Sequence, residues 1–345
     1  MPVNDRPSLT KPEETKAGEV GTHVRLISVV LLLIGLCIFA MVIARVGWRT
    51  VSVGIGSARG WFLLGATLVY ICSVALRATK WYVLMHPERW LRSLREAVAV
   101  YGIGGFAGFL TPGRSGEFSA AVALNRLNKV PVMRVSGAIL ADRLLEALFL
   151  MIMVLWAGVY LSRRGALLPT VLYAVHAATV GAAIITMLLI TAVATPSFIA
   201  SWLRHLSTRF RGRIGNVVGS MAEYVEHLTA ARTALARWAT VVKLTILTAG
   251  AWVCDILLLY LAVLSFVSVG FADTTATQII SIVASLISAI PSGLGVGALS
   301  YTELMRQLGY PLAQTTTAVV LSAAIQLVVN LVMGLQGFLY MIERS

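Results

Sequence analysis

Six long apolar runs, about 24–46, 60–78, 135–161, 168–194, 243–269 and 313–342, decide what this chain folds into. Each is close to the roughly 20 residues a helix needs to cross a hydrocarbon core. In lipid every backbone N–H and C=O must be paired within the protein, so runs of this kind are read as membrane-spanning helices. The first run is too long for a signal-peptide core and is read as a helix that stays.

Composition agrees. Hydrophobic residues make up 58% of the 345 positions and charged residues 12%, against about 25% charged in soluble domains. The chain is expected to hold a polar, disordered tail over 1–23 and a single membrane domain over 24–345, with no room for a large soluble enzyme domain. The formal net charge of +13 fits cytoplasmic loops rich in Lys and Arg and attraction to anionic lipid head groups. It does not point to nucleic acid, because no basic module stands apart from the apolar runs. Cys37, Cys72 and Cys254 are far apart in sequence. They make neither a disulfide framework nor a zinc spacing and read as small buried hydrophobes.

Two shorter apolar stretches, about 96–110 and 276–290, end in helix breakers. The first runs into Pro112-Gly113-Arg114-Ser115-Gly116-Glu117 and the second into Pro291-Ser292-Gly293-Leu294-Gly295. Broken helices at membrane depth persist only where protein or a cavity surrounds them. Each break is followed by a less apolar return segment, about 116–126 and 298–309. Both units are therefore read as re-entrant helical hairpins, with full crossings as the rival. The expected fold class is an all-α polytopic membrane protein with about six crossings and two re-entrant hairpins. One break in each half suggests an inverted repeat of transporter type.

Loop charge sets the orientation. With a cytoplasmic N-terminus, 21 of the 28 Lys and Arg fall on the cytoplasmic side and six on the other, with Arg143 inside a helix. Arg77 and Lys80 are counted among the cytoplasmic loop cations in this reading. The hairpins then enter from opposite faces. The loop over 195–242 is basic at first, then carries apolar residues at helical spacing (Val218, Met221, Tyr224, Val225, Leu228), as an amphipathic surface helix would. An extension of the next crossing is the alternative. Trp48, Trp61, Trp81, Tyr82, Trp90, Trp156, Tyr160, Trp202 and Trp238 lie near segment ends, as an interfacial belt does.

Ionisable residues within the bilayer are functional candidates by default. Asp142 and Glu146 share a helical face, and Arg143 is expected to pair with Glu146 at i+3 or with an acid of the hairpin. Counting about 1.5 Å per residue from Val135, Glu146 lies roughly 16 Å deep. This cluster could line a path for a polar head group or dock its helix against a hairpin. Arg114 and Glu117 sit at the first turn, where glycines permit close backbone approach. Free N–H groups and a guanidinium there suit a phosphate; an ordinary cytoplasmic ion pair is the alternative. Glu303, with Arg306 at i+3, and Asp255 could take a proton or bond a neighbouring helix. No histidine pairs with an acid at metal-ligand spacing, and Gly102-Ile103-Gly104-Gly105 follows no strand, so it reads as a close-packing face. No metal, cofactor or catalytic residue is expected.

Four segments together resemble a known family: Arg77-Ala78-Thr79-Lys80-Trp81, Leu110-Thr111-Pro112-Gly113-Arg114-Ser115-Gly116-Glu117, Asp142-Arg143-Leu144-Leu145-Glu146-Ala147-Leu148 and Ile290-Pro291-Ser292-Gly293-Leu294-Gly295-Val296. In this order they are similar to the transmembrane region of lysylphosphatidylglycerol synthases and to related stand-alone flippase-like proteins, over about 24–342. The resemblance implies a lipid-translocating domain, sometimes fused to an aminoacyl-transferase. With the last run ending next to Ser345, no transferase is expected. The family's acid soon after the second Gly-Val is replaced here by Gly297 and Ala298, with Glu303 the next acid, and Gln326 stands where the last helix often carries Arg.

The reading is movement of an anionic phospholipid or lipid-linked precursor between leaflets of the cell membrane. Arg114, Glu117, Asp142, Arg143, Glu146 and Glu303 are the candidate substrate contacts. Pro112, Gly113, Gly116, Pro291, Gly293 and Gly295 shape the turns. Membrane lipids are the expected partners, with a second copy of the chain or a separate lipid-modifying enzyme as further candidates. The alternatives are a membrane enzyme or accessory partner in polyprenyl-lipid or glycolipid synthesis, and a non-transporting scaffold.

Overall fold

The computed structural model describes residues 58–86, 89–165, 195–209, 238–288 and 295–344, with isolated positions elsewhere. The 1–23 tail, the runs at 24–46 and 168–194, the amphipathic stretch after Arg209, and Pro291 to Leu294 lie outside the described residues, apart from such single positions. Among the described residues the chain is helical, with no strand. The helices are α1 (Gly60–Met85), α2 (Leu94–Leu110), α3 (Ser119–Asn128), α4 (Val132–Arg164), α5 (Pro196–Arg209), α6 (Trp238–Leu264), α7 (Phe271–Ser288), α8 (Val296–Gln307) and α9 (Leu312–Arg344). A 3₁₀ turn over Pro112–Phe118 joins α2 to α3. By length and composition α1, α4, α6, α7 and α9 are able to cross a membrane. Four of them match expected crossings; α7 is the first arm of the second expected hairpin.

Local chemistry explains the helix ends. Ser93 caps α2 by accepting the Glu96 N–H at 3.2 Å, and the Glu96 carboxylate reaches back to the Arg92 N–H at 2.7 Å, a variant of the capping box. Thr111 ends α2: its hydroxyl donates to the Ala107 carbonyl and accepts from the Gly116 N–H at 2.6 Å. Pro112 then starts the 3₁₀ turn, where its missing N–H is no loss. Lys129 closes α3 in the left-handed region, and Gly165 does the same for α4.

α2, the turn and α3 fold back on themselves. Asn128, at the end of α3, donates to the Trp90 carbonyl at 2.8 Å and to Glu96 at 2.6 Å. α7 and α8 repeat the plan: Tyr310, just past α8, donates to Asp273 at 2.8 Å and accepts the Gly270 N–H at 3.2 Å. In both hairpins an acid in the first turn of the leading helix receives the bond that closes the mouth.

The two halves interlock. α1 lies antiparallel to α6, with the Arg59 N–H on the Ser265 carbonyl at one end and Ser73 on Asp255 near the middle. α2 lies antiparallel to α9; a Cβ on Gly102 would strike the Met333 carbonyl, and one on Gly337 would strike that of Ala99. Only glycine allows backbones this close. α4 meets α7, where Tyr160 and Arg164 hold Asp273. Each hairpin thus leans on the long helix of the other half. Because the start of α1 meets the end of α6, the two hairpin mouths lie at opposite ends of the bundle.

Apolar clusters fill the spaces between helices. Trp81, Leu91, Leu124 and Ile139 pack among α1 to α4, and Val154, Trp252 and Ile279 among α4, α6 and α7. The perimeter is apolar too: Leu64, Ile246, Leu335, Phe338 and Ile342 are exposed. An apolar outside around charged interior residues is the arrangement lipid selects. Trp61 and Trp238, both exposed at helix starts, suit an interfacial belt. Trp81 does not; it is fully buried, because its helix runs on to Met85. Cys72 is exposed and Cys254 half-buried, both as free thiols, so Cys72 is not the buried hydrophobe its apolar run suggested. Cys37 lies outside the described residues.

Candidate functional site

Eight charged side chains form one alternating chain through the middle of the bundle. Asp255 of α6 binds Arg77 of α1 at 2.6 Å, and Arg77 binds Glu146 of α4 at 2.5 Å. Glu146 shares Lys80 with Asp142, at 2.6 and 2.8 Å. Asp142 binds Arg143 at 2.9 Å, Arg143 binds Glu117 of the turn at 3.1 Å, and Glu117 binds Arg114 at 2.6 Å. Four cations face four anions, so the chain is formally neutral. Trp81 adds an indole N–H to Asp142 at 3.1 Å, and Ser73 adds a hydroxyl to Asp255 at 2.6 Å.

Helix geometry puts these groups together. Arg77 and Lys80 are three apart on α1, and Asp142 and Glu146 four apart on α4, so each pair projects from one face toward the other helix. The turn brings Glu117 against α2 through Gly108 and Gly116. A Cβ on Gly116 would strike the Ala107 carbonyl, and one on Gly108 would lie 2.6 Å from the Glu117 side chain. Arg114 adopts φ 59°, the left-handed region that a residue with a Cβ occupies at a cost. The fold holds its guanidinium at the hairpin tip despite that cost.

Exposure divides the chain into a buried middle and open ends. The Lys80, Asp142, Glu117, Arg77 and Glu146 side chains are buried, whereas Arg114 is 41% exposed and Arg143 and Asp255 are 25% exposed. The open groups border a cavity of about 580 Å³ between the two hairpins. Its polar wall carries Arg77, Arg114, Arg143, Glu146 and Asp255; its apolar wall includes Phe109, Leu150, Trp252 and Leu286. Arg114 meets Glu117 through Nε, and its two outer nitrogens have no ion-pair partner among the described residues. A guanidinium with free outer N–H groups binds a phosphate bidentately. Guanidiniums on one side and apolar walls around them fit an amphiphile with an anionic head.

Five of the six expected contacts, Arg114, Glu117, Asp142, Arg143 and Glu146, meet in this cluster. Glu303 does not: it pairs with Arg306 at 2.6 Å on the exposed flank of α8. Pro112, Gly113 and Gly116 lie in the first turn. Pro291 and Gly293 lie outside the described residues, and Gly295 has φ 95° just before α8.

Of the partners open to Arg143, Glu146 at i+3 and an acid of the hairpin, the structure takes the hairpin's: Arg143 binds Glu117, which docks α4 against the first hairpin, and Asp142, while Glu146 takes Arg77 and Lys80. One expectation needs correction. Arg77 and Lys80 are not loop cations, since α1 continues to Met85 and buries both. The signal was present. Trp81-Tyr82-Val83-Leu84-Met85 is apolar, so Lys80 interrupts a run without ending it. Of the two roles open to Asp255, the bond to a neighbouring helix is present: its bonds to Arg77 and Ser73 link α6 to α1.

A protein-family model described as the lysylphosphatidylglycerol synthase TM region matches residues 26–334. No curated protein matches the chain.

Proposed function

The chain belongs to the family of lysylphosphatidylglycerol synthase transmembrane regions, a multi-pass membrane protein tied to lipid metabolism, and from that premise we propose that it moves an anionic phospholipid or lipid-linked precursor between leaflets. The observation that carries this reading is the pair of part-exposed guanidiniums, Arg114 and Arg143, at the edge of an apolar-walled cavity between two hairpins of opposite orientation. The phosphate docks on Arg114 and Arg143. Glu117 positions both, because one carboxylate holds the two guanidiniums on the cavity side. The buried pairs from Lys80 to Glu146 anchor this group to α1 and α4.

In this reading the hairpins are re-entrant and enter the bilayer from opposite faces. Rocking of one half against the other opens the cavity to one face at a time. Arg89, Arg92, Arg95, Arg126, Lys129, Arg134 and Arg344 gather at the mouth of the first hairpin, so that end and the N-terminus face the cytoplasm of the cell membrane.

The test is a leaflet-resolved assay with purified protein in liposomes holding a trace of fluorescent phosphatidylglycerol. Wild-type protein is expected to make the outer-leaflet label exchange, and Arg143→Ala to slow it at least tenfold while the protein stays folded. Exchange at the protein-free rate with wild-type protein overturns the reading. Normal exchange in both Arg114→Ala and Arg143→Ala removes the guanidiniums from it and favours a scaffold.

A further inference from the structure

Cys72 and Cys254 lie in different halves of the chain, and the register of α1 on α6 brings them face to face. A Cβ on Gly65 of α1 would sit 3.5 Å from Leu261 of α6, and one on Gly250 of α6 would sit 3.2 Å from Leu76 of α1. Seven residues on from Gly65 is Cys72, and seven back from Leu261 is Cys254. Seven residues are about two helical turns, so both cysteines stay on the contact stripe. They are likewise one turn from Leu76 and Gly250. The two thiols meet in a hydrogen bond, and both are free. Ser73, the next residue, donates to the Ala251 carbonyl at 3.3 Å and to Asp255 at 2.6 Å, which fixes the seam on its inner side.

The pair sits on the outer side of that seam. Cys72 is exposed and Cys254 half-buried, and Leu68, Ile71 and Val253 nearby are exposed apolar residues. Cys72 is twelve residues into α1, about 18 Å from its start, which is mid-membrane for a helix that crosses. The charges that reach Cys254, those of Asp255 and Arg77, are paired with one another at 2.6 Å. Hydrocarbon disfavours the thiolate on which aqueous thiol–disulfide exchange depends. A quinone avoids that cost, because it takes up two electrons together with two protons and every species stays neutral.

We propose that Cys72 and Cys254 are a redox-active dithiol, open to a membrane-soluble quinone, and that their disulfide staples α1 to α6. The two S–H bonds break, one S–S bond forms, and the two electrons and two protons convert the quinone to its quinol. The staple joins the first half of the molecule to the second and does not depend on the translocation reading.

The experiment uses the full chain carrying Cys37→Ser, so that only this pair can close, in liposomes with decylubiquinone or with oxidised glutathione. Decylubiquinone is expected to lower the intact mass by two hydrogens and to remove both sites for a maleimide added after denaturation. Dithiothreitol should restore both. Oxidised glutathione at equal concentration should give roughly tenfold less, since it is charged and stays in water. The closed form should unfold in detergent at a higher temperature than the reduced form, because the bond closes a long loop. Moving the thiol one residue round α1, with Ile71→Cys and Cys72→Ser together, should abolish closure. An unchanged mass, or a gain from quinone addition or oxygen, overturns the proposal, as does equal closure from position 71. Equal closure by glutathione removes the quinone, and an unshifted unfolding temperature removes the staple.

Discussion

At the scale of single residues, the eight-membered charge chain divides into buried groups and groups open to the cavity. Lys80 is fully buried between Asp142 and Glu146. Removing one partner of a buried pair costs about 3–5 kcal/mol, so Lys80→Met is expected to lower the thermal midpoint in detergent clearly. Lys80→Met with Asp142→Asn should recover at least half of the loss, since Glu146 keeps Arg77 and Trp81 keeps an acceptor. An unchanged midpoint in the single variant contradicts the buried pairing. Arg114 is the opposite case, being 41% exposed; Arg114→Ala should cost less stability than Lys80→Met, because Glu117 keeps Arg143, and should weaken phosphate binding. Its φ of 59° adds a finer expectation: Arg114→Gly should be more stable than Arg114→Ala by about 1 kcal/mol, read by chemical denaturation, with both equally poor at binding. The Arg114–Glu117 contact was legible in the sequence because its partners are three residues apart. The partners of Arg77 lie 69 and 178 positions away, and no local spacing encodes a meeting at that range. For the same reason local spacing could not choose between Glu146 and the hairpin's Glu117 as the partner of Arg143.

At the scale of elements, the Pro/Gly breaks were the readable feature, since a helix cannot pass through them. That each arm would return to its own starting point was foreseeable as a hairpin; that Asn128 and Tyr310 would close the mouths was not, because each bond joins residues more than 30 apart. Nor did any apolar period tell α2 to choose α9, or α7 to choose α4; the choice rests on glycine faces and on the Asp273 cluster. Gly116 is the tightest point of the first turn. Gly116→Ala forces its Cβ onto the Ala107 carbonyl, and overpacking of this kind costs about 1–3 kcal/mol. The expected result is a lower midpoint together with loss of binding at Arg114, because the turn carries both. Gly60→Ala is the control, with open space around the added Cβ; a comparable loss there would mean that the turn is not specially tight.

At the scale of the whole molecule, the opposed mouths make a topological prediction. Arg126 at the first mouth and Arg306 at the second are both exposed. In a background without native cysteines, Arg126→Cys and Arg306→Cys should react with impermeant maleimide from opposite sides of a sealed vesicle, and Arg92→Cys from the side of Arg126. Labelling of Arg126→Cys and Arg306→Cys from one side contradicts the inverted arrangement. The formal neutrality of the charge chain carries a last consequence, an electrical one. If the halves rock as proposed, the empty site moves no net charge, whereas a site holding a monoanionic lipid carries one elementary charge through the field. A full transit is then coupled to the transmembrane voltage at about 2.3 kcal/mol per 100 mV, roughly a 50-fold bias in the leaflet ratio. An interior-negative potential drives the anion outward. A potassium-diffusion potential imposed on proteoliposomes should then by itself tilt the lipid distribution, reversing when the potential is reversed.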